Sequence, residues 1–278
     1  MERAGGGALN AELVEASAWH EIQSHVSDAF RDRFGVSVHR VHGAVALVAN
    51  RTDMLALNRV WLPGGAAKLD AALIDEVIAL FSASGAQRFV VHLDPTAESP
   101  DVMATFAERG FCTIHPMAKL ERDTSVMIEP PTDVRIVEAG PADAATFGAV
   151  AALGNELPAY MADGFNSTIG RQGWRHYLGV IDGQPVAAAA LRVQGAMGWL
   201  GFAGTLPEFR GRGAQSALLA RRVRDAASLG CDSVTCETTA DTAERPNQSF
   251  RNMTRLGFRL AYTRQGLVLS LRPSLHNS

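Results

Sequence analysis

The segment LPEFRGRGAQSALLARRVRDAASLG, residues 206–230, constrains the chain most: an extended run ends, a loop rich in glycine and arginine follows, and a helix begins. Gly211 and Gly213 admit positive φ and let a ligand come close to the backbone. Arg210 and Arg212 add positive charge beside the unpaired amides of a helix start. Such a loop suits an anionic ligand, although the same residues also suit a surface turn. Leu219, Val223 and Ala226 recur at three- and four-residue steps, which gives the helix a core face, and Gly230 stands where a C-terminal cap belongs.

The flanking segments narrow the choice. Upstream, MGWLGFAGTLP reads as a strand ending at Pro207; downstream, DSVTCETT reads as a second strand and NQSFRNMTRLGFRLAYT as helix, turn and strand. Over about residues 134 to 272 this order resembles the GNAT superfamily of acyl-CoA-dependent N-acetyltransferases. The resemblance implies an α/β fold, more narrowly α+β, with a mixed sheet flanked by helices, and acetyl-CoA as cosubstrate. It assigns the coenzyme pyrophosphate to the loop Arg210, Gly211, Arg212, Gly213, Ala214 and Gln215, where Gln215 replaces the usual small residue. It assigns the pantetheine amides to the backbone of Ala203, Gly204 and Thr205, and a further contact near the thioester to Asn247. Asn247 reads equally well as a helix N-cap. Where the family often has a Tyr that protonates the departing thiolate, this chain has Met253, so the acid is another group, water, or none. Tyr262 lies too far along the chain to replace it by alignment.

A chain of 278 residues is long enough for two domains, each with its own core. Composition is ordinary for a globular protein, and a net charge of −3 leaves no broad basic footprint for nucleic acid. No apolar run reaches membrane-spanning length, and the first residues lack the organisation of a secretory signal, so a cytoplasmic protein without membrane partners is expected. Cys112, Cys231 and Cys236 form no even framework and have no histidine partners at zinc-site spacing, so buried free thiols and no metal are expected.

The two halves repeat each other in outline. Gly85 to Gly110 mirrors Gly230 to Gly257, each giving strand, polar loop, helix, a Gly-Phe turn and strand, which points to tandem duplication. The first half has PGGAAK where the second has its arginine-glycine loop, and Pro63, Gly64 and Gly65 satisfy a turn without a ligand. Leu73, Val77 and Leu80 give its helix an apolar stripe. The expected division is therefore a degenerate GNAT-like domain at 1–125, a linker at 126–133 stiffened by Pro130 and Pro131, and a coenzyme-binding domain at 134–278. That tandem arrangement is similar in architecture to the mycothiol synthases.

Acceptor chemistry is less legible. An alkylamine titrates near pH ~10.4, so holding it neutral at pH 7 costs roughly 4 kcal/mol, which a nearby base must help to offset. Glu237 alternates with the small apolar Val234 and Cys236 on one strand and is the candidate base, with a solvated strand-end acid as the alternative. Glu208, beside the loop, reads as structural. Glu156, Tyr160, Trp174, His176 and Tyr177 fall in the segment that covers the acceptor side in the family. Trp199 and Phe202 flank the strand where acceptors lie. The function expected is transfer of an acetyl group to a small-molecule primary amine; the alternatives are a non-catalytic acyl-CoA sensor and a protein N-acetyltransferase.

Overall fold

The computed structural model describes residues 4–62, 69–126 and 131–271, with side chains from residue 11 onward. Two compact units emerge, Met1–Ala118 with Tyr262–Ser278, and Lys119–Ala261. In chain order the first comprises α1 (Ala4–Ser24), α2 (Asp28–Phe34), β1 (Val36–Val41), β2 (Ala44–Ala49), β3 (Arg59–Trp61), α3 (Ala71–Ser84), β4 (Arg88–His92), α4 (Pro100–Glu108) and the start of β5 (Cys112–Asp123). The second takes the rest of β5 and continues with β6 (Arg135–Ala139), α5 (Ala144–Gly154), α6 (Ala162–Asn166), β7 (Trp174–Ile181), β8 (Gln184–Gln194), β9 (Met197–Thr205), α7 (Ala214–Ser228), β10 (Ser233–Thr239) and α8 (Gln248–Arg255). β11 (Arg259–Ser270) leaves the second unit after Ala261 and runs on in the first.

The first unit's strand order is β1-β2-β3-β4-β11-β5, with β3 and β4 parallel and β4 antiparallel to β11. β2 is buried throughout and reads as an unbroken run of alanine, valine and leucine, as befits a strand covered on both faces. Asp70 caps α3 by accepting the Leu73 N–H at 2.9 Å, and Gly85 closes it in the left-handed region. Leu73, Val77 and Phe81 turn inward, Leu80 is half-buried against the same core, and Phe81 stacks on Phe89 with centroids 4.0 Å apart.

The second unit's order is β5-β10-β9-β8-β7-β6, again with one parallel pair, β9 and β10. Asp182 and Gly183, both at positive φ, make the tight turn of the β7–β8 hairpin that the sequence foretells. Along β8 the run Ala187–Ala190 is fully buried. Ala187 and Ala189 join the core under α7, and the two-residue period turns Ala188 and Ala190 to the opposite face, where α5 packs. Small side chains let both helices lie close to the sheet. Leu219, Val223 and Ala226 of α7 are buried as the sequence spacing predicts, and Gly230 follows the helix at φ +85°.

Two expectations need revision. The boundary at 126–133 differs from the structural division, because the closing strands leave their own halves: β11 pairs with β4 from Gly266↔His92 to Ser270↔Arg88, and Thr124 of the β5 segment donates its N–H to the Asp232 carbonyl at 3.1 Å. A repeat in sequence says where strands occur, not which edge they join. Of the thiols, Cys231 and Cys236 are buried but Cys112, at the start of β5, is exposed. The PGGAAK turn with Pro63, Gly64 and Gly65, and residues 127–130 of the linker including Pro130, lie outside the described residues. No helix among the described residues is long and apolar enough to cross a membrane.

Candidate active site

The site begins where two parallel strands part. β10 pairs with β9 at Ser233↔Met197, Val234↔Gly198 and Thr235↔Trp199, yet the strands run on to Thr239 and Thr205. Beyond Thr235 they form a fork. A cavity of about 740 Å³ opens there, walled by Ala203, Gly204 and Thr205 on β9 and by Thr239 on β10.

The arginine-glycine loop closes one end of this cavity. Arg210, Gly211, Gly213, Ala214 and Gln215 all lie on its wall. Gly211 and Gly213 adopt φ of +80° and +85°, a region costly for a residue with a Cβ, and a Cβ on Gly211 would meet open space. Gly213 is the N-cap of α7 and supplies no capping side chain, so the first-turn amides, reaching the wall at Ala214, Gln215 and Ser216, have no side-chain acceptor. This helix start presents a partial positive charge to the cavity.

The loop arginines are committed within the protein. Arg210 donates to Glu156 at 2.7 Å and to the Gly154 and Thr205 carbonyls at 3.2 Å each, while Arg212 pairs with Asp133 and lies off the cavity wall. The cation that sequence reading missed is Arg245, which lines the cavity with no ion-pair partner among the described residues. It sits in a polar run without periodicity, so only its charge could have signalled it.

Residues 151–258 match the family model described as the Acetyltransferase (GNAT) family. The match lies within the second unit and takes in every residue of the cavity wall, from Gly154 to Asn252. Solved structures share the fold over nearly the whole chain. A GCN5-related N-acetyltransferase from Kribbella flavida is 18% identical, covers 95% of this chain and 96% of its own, and has a TM-score of 0.64. One from Sphaerobacter thermophilus is 16% identical over 94% and 95%, with a TM-score of 0.62. A tandem GNAT protein from the clavulanic acid biosynthesis pathway is 16% identical over 98% of both chains, with a TM-score of 0.59. Among proteins of curated function, none matches the chain.

Within the matched segment, Asn247 lines the cavity and caps α8: its Oδ1 accepts the Phe250 N–H at 3.2 Å, and its Nδ2 donates to Thr238 Oγ1 and the Thr239 carbonyl. The N-cap reading of this residue holds, and the residue also faces the cavity. Gln215 spans from α7 to α8, donating to Ser249 at 2.7 Å and accepting from Asn252 at 2.8 Å, which gives the departure from the family pattern a bridging role. Gly204 permits a close approach, but of the protein itself: a Cβ there would meet Asn155 and Gly154 at the end of α5.

Met253 is buried against Cys236, with sulfurs 3.3 Å apart, and offers no proton. Burial pushes the Cys236 thiol up to about 12, so it stays protonated at neutral pH. Glu237 lies off the cavity wall, where it pairs with fully buried Lys119 at 3.6 Å. Glu208 occupies the turn Pro207–Phe209, and Tyr160 is exposed. Trp174 and Trp199 are buried and pack edge-on at 6.0 Å, with Phe202 held at φ +59° against both. Burial drives His176 down to about 4, and it meets Thr168 Oγ1 at 3.2 Å. Tyr177 donates to Asp225 at 2.8 Å, so His176 and Tyr177 serve packing.

Proposed function

We propose that this GNAT acetyltransferase moves an acetyl group from acetyl-CoA to a primary amine of a small molecule, by direct attack on the thioester, at a single site in the second unit. The observation that carries this reading is the cavity itself, bounded by an uncapped helix start at one end and by parted strands at the other. Such a helix start suits a phosphate-bearing ligand, and exposed strand backbone suits a chain of amides.

Acetyl-CoA supplies the activated acyl carbon; holding and proton handling fall to the protein. The amides of Gly211, Gly213, Ala214 and Gln215 hold the pyrophosphate, with Arg245 as the uncommitted cation and Arg210 and Arg212 as fixed positive background. The backbone of Ala203, Gly204 and Thr205 pairs with the pantetheine amides. Asn247 fixes the start of α8 as the facing wall. In the reaction the amine nitrogen forms a C–N bond to the acyl carbon as the C–S bond breaks. The amine gives up one proton, passed through solvent in the cavity to Glu237 behind its wall, and the departing sulfur gains one from solvent, so nothing is oxidised or reduced. The Cys236 thiol, held protonated in the apolar core on the opposite face of β10 from Glu237, takes no part, which favours direct transfer over an acyl-cysteine route.

Thiol release from acetyl-CoA, measured against a panel of small amines and a panel of lysine peptides, tests the reading. Turnover with the small amines is expected. Turnover with peptides alone would make the chain a protein acetyltransferase, and coenzyme binding without turnover would make it a sensor.

A further inference from the structure

The second unit closes on a strand that precedes the family segment, and this strand brings ionisable groups into its interior. β5 runs antiparallel to β10: the Thr124 N–H reaches the Asp232 carbonyl at 3.1 Å, and the Thr124 hydroxyl reaches the Cys231 carbonyl at 2.7 Å. Counting along the two strands from that contact sets Glu121 opposite Thr235 and Lys119 opposite Glu237, in agreement with the 3.6 Å approach of Lys119 Nζ to Glu237 Oε2. Lys119 has no exposed side-chain surface, and Glu237 retains 13%.

The place of this pair matters more than its existence. Strand pairing between β9 and β10 ends at Thr235↔Trp199, so Glu237 is the first residue past the fork on the Thr235 face. The next residue on that face, Thr239, already lines the cavity. Side chains two apart on a strand point the same way, roughly 6.6 Å apart, so Glu237 stands about one pleat deeper than the wall. On the opposite face of the same strands Val234, Cys236 and Leu120 join an ordinary apolar core. A closing strand needs no lysine to bury itself, and a buried ion pair is rarely a net gain over apolar side chains. Beside the pair lie Glu121, whose buried Oε1 has no hydrogen-bond partner among the described residues, and Thr235, whose buried Oγ1 has none there either. Ionisable groups gathered at one end of a cleft are the pattern of a working site.

Building on the proposed role of Glu237 as base, we infer that Lys119 is a positioning residue for acyl transfer: its ammonium holds the Glu237 carboxylate at the fork, so the transferase site is completed by a residue of β5. Lys119 lies outside residues 151–258 and outside the domain that the sequence pattern delimits. It touches neither substrate and acts through Glu237.

The test uses the full chain and four variants: Lys119→Met, Lys119→Arg, Glu237→Gln, and Lys119→Met with Glu237→Gln, the last leaving no charge of the pair buried alone. With an amine that the parent accepts, Glu237→Gln should lower kcat about a hundredfold and Lys119→Met about tenfold, with coenzyme A affinity within about twofold of the parent. Lys119→Arg should recover most of the loss. The double variant should be no slower than Glu237→Gln alone, because both changes act on one carboxylate. A readout without coenzyme or turnover is the 13C resonance of the Glu237 carboxyl in glutamate-labelled protein, which should move in Lys119→Met and return in Lys119→Arg. Parent-like kcat in Lys119→Met, a further tenfold loss when that change is added to Glu237→Gln, or an unmoved carboxyl resonance would each overturn the inference while leaving the base assignment intact. Parent-like kcat in Glu237→Gln would overturn both. No turnover in the parent, with the resonance still responding to Lys119, would confirm the contact and overturn its catalytic purpose.

Discussion

Among the described residues each unit contains one parallel pair of strands, and the two pairs end differently. In the first unit β3 and β4 stay together through Arg59↔Val90, Val60↔Val91 and Trp61↔His92, and the Leu62 N–H continues the ladder to the His92 carbonyl at 3.3 Å. His92 follows Gly85 at the same interval at which Glu237 follows Gly230, so it occupies the position of Glu237 in the repeat. In the second unit, pairing ends at Thr235↔Trp199, one pleat before Glu237. Where that unit opens, the first stays paired as far as its described residues reach, with Trp61 stacked on His92 at a centroid distance of 5.0 Å. A ligand that pairs with strand backbone needs strands that are not already paired. The contrast is why the proposed coenzyme site is assigned to the second unit alone.

The harshest way to break this contrast is to separate the halves. A chain beginning at residue 134 lacks β5, and with it Lys119, the Arg122 guanidinium that donates to the Leu256 carbonyl at 2.7 Å, and the Thr124 contacts to the start of β10. Such a fragment is expected to lose coenzyme binding and cooperative unfolding altogether. Circular dichroism and calorimetry read both, and a fragment that melts and binds like the full chain would contradict the division at Lys119.

A pH scan probes the second unit alone. Burial holds His176 at about 4 in the folded chain against the ordinary imidazole value of 6.5, so as pH falls the unfolded chain takes up a proton first. Stability is therefore complete above pH ~6.5 and is lost progressively down to pH ~4, by about 3 kcal/mol in total. Urea titrations of parent and His176→Gln should diverge in that window; parallel curves would show that His176 does not drive the acid sensitivity.

Smaller effects sharpen the anion end of the cavity. Arg210 and Arg212 already have carboxylate partners and Arg245 has none among the described residues. Arg245→Ala should accordingly weaken coenzyme A about tenfold while leaving pantetheine nearly unaffected, as expected for one charged hydrogen bond. Equal losses for both ligands would move Arg245 away from the phosphates. The smallest effect is expected at Met253, where Leu conserves volume in a packed core: Met253→Leu should leave kcat within about twofold, and a large fall would reveal a role for the thioether.

What could be read from the sequence was local. The loop at Arg210–Gln215, the face of α7 and the Asp182-Gly183 hairpin follow from glycine conformations and short-range periodicity, which neighbouring residues decide. Glu156 and Asp133 as partners of the loop arginines were not readable, because nothing in their own segments announces a distant cation. The same holds for the closing strands. Cys112–Asp123 and Arg259–Ser270 look like equivalent ends of a repeat, but their edges are chosen by long-range pairing, and the Lys119–Glu237 contact exists only once that choice is made. The aromatic residues were half-read: Trp174, His176 and Tyr177 belong to packing, as their types suggest, while the positive φ of Phe202 has no sequence signature.

The central claim is that only the open fork of the second unit takes coenzyme. Calorimetric titration of the full chain with coenzyme A tests it most directly. One molecule bound per chain is expected, with binding abolished by Gly211→Val, which forces a branched Cβ into a left-handed position of the loop, and unaffected by Leu73→Met in the core of the first unit. Two equivalent sites per chain, or full binding by Gly211→Val, would contradict it.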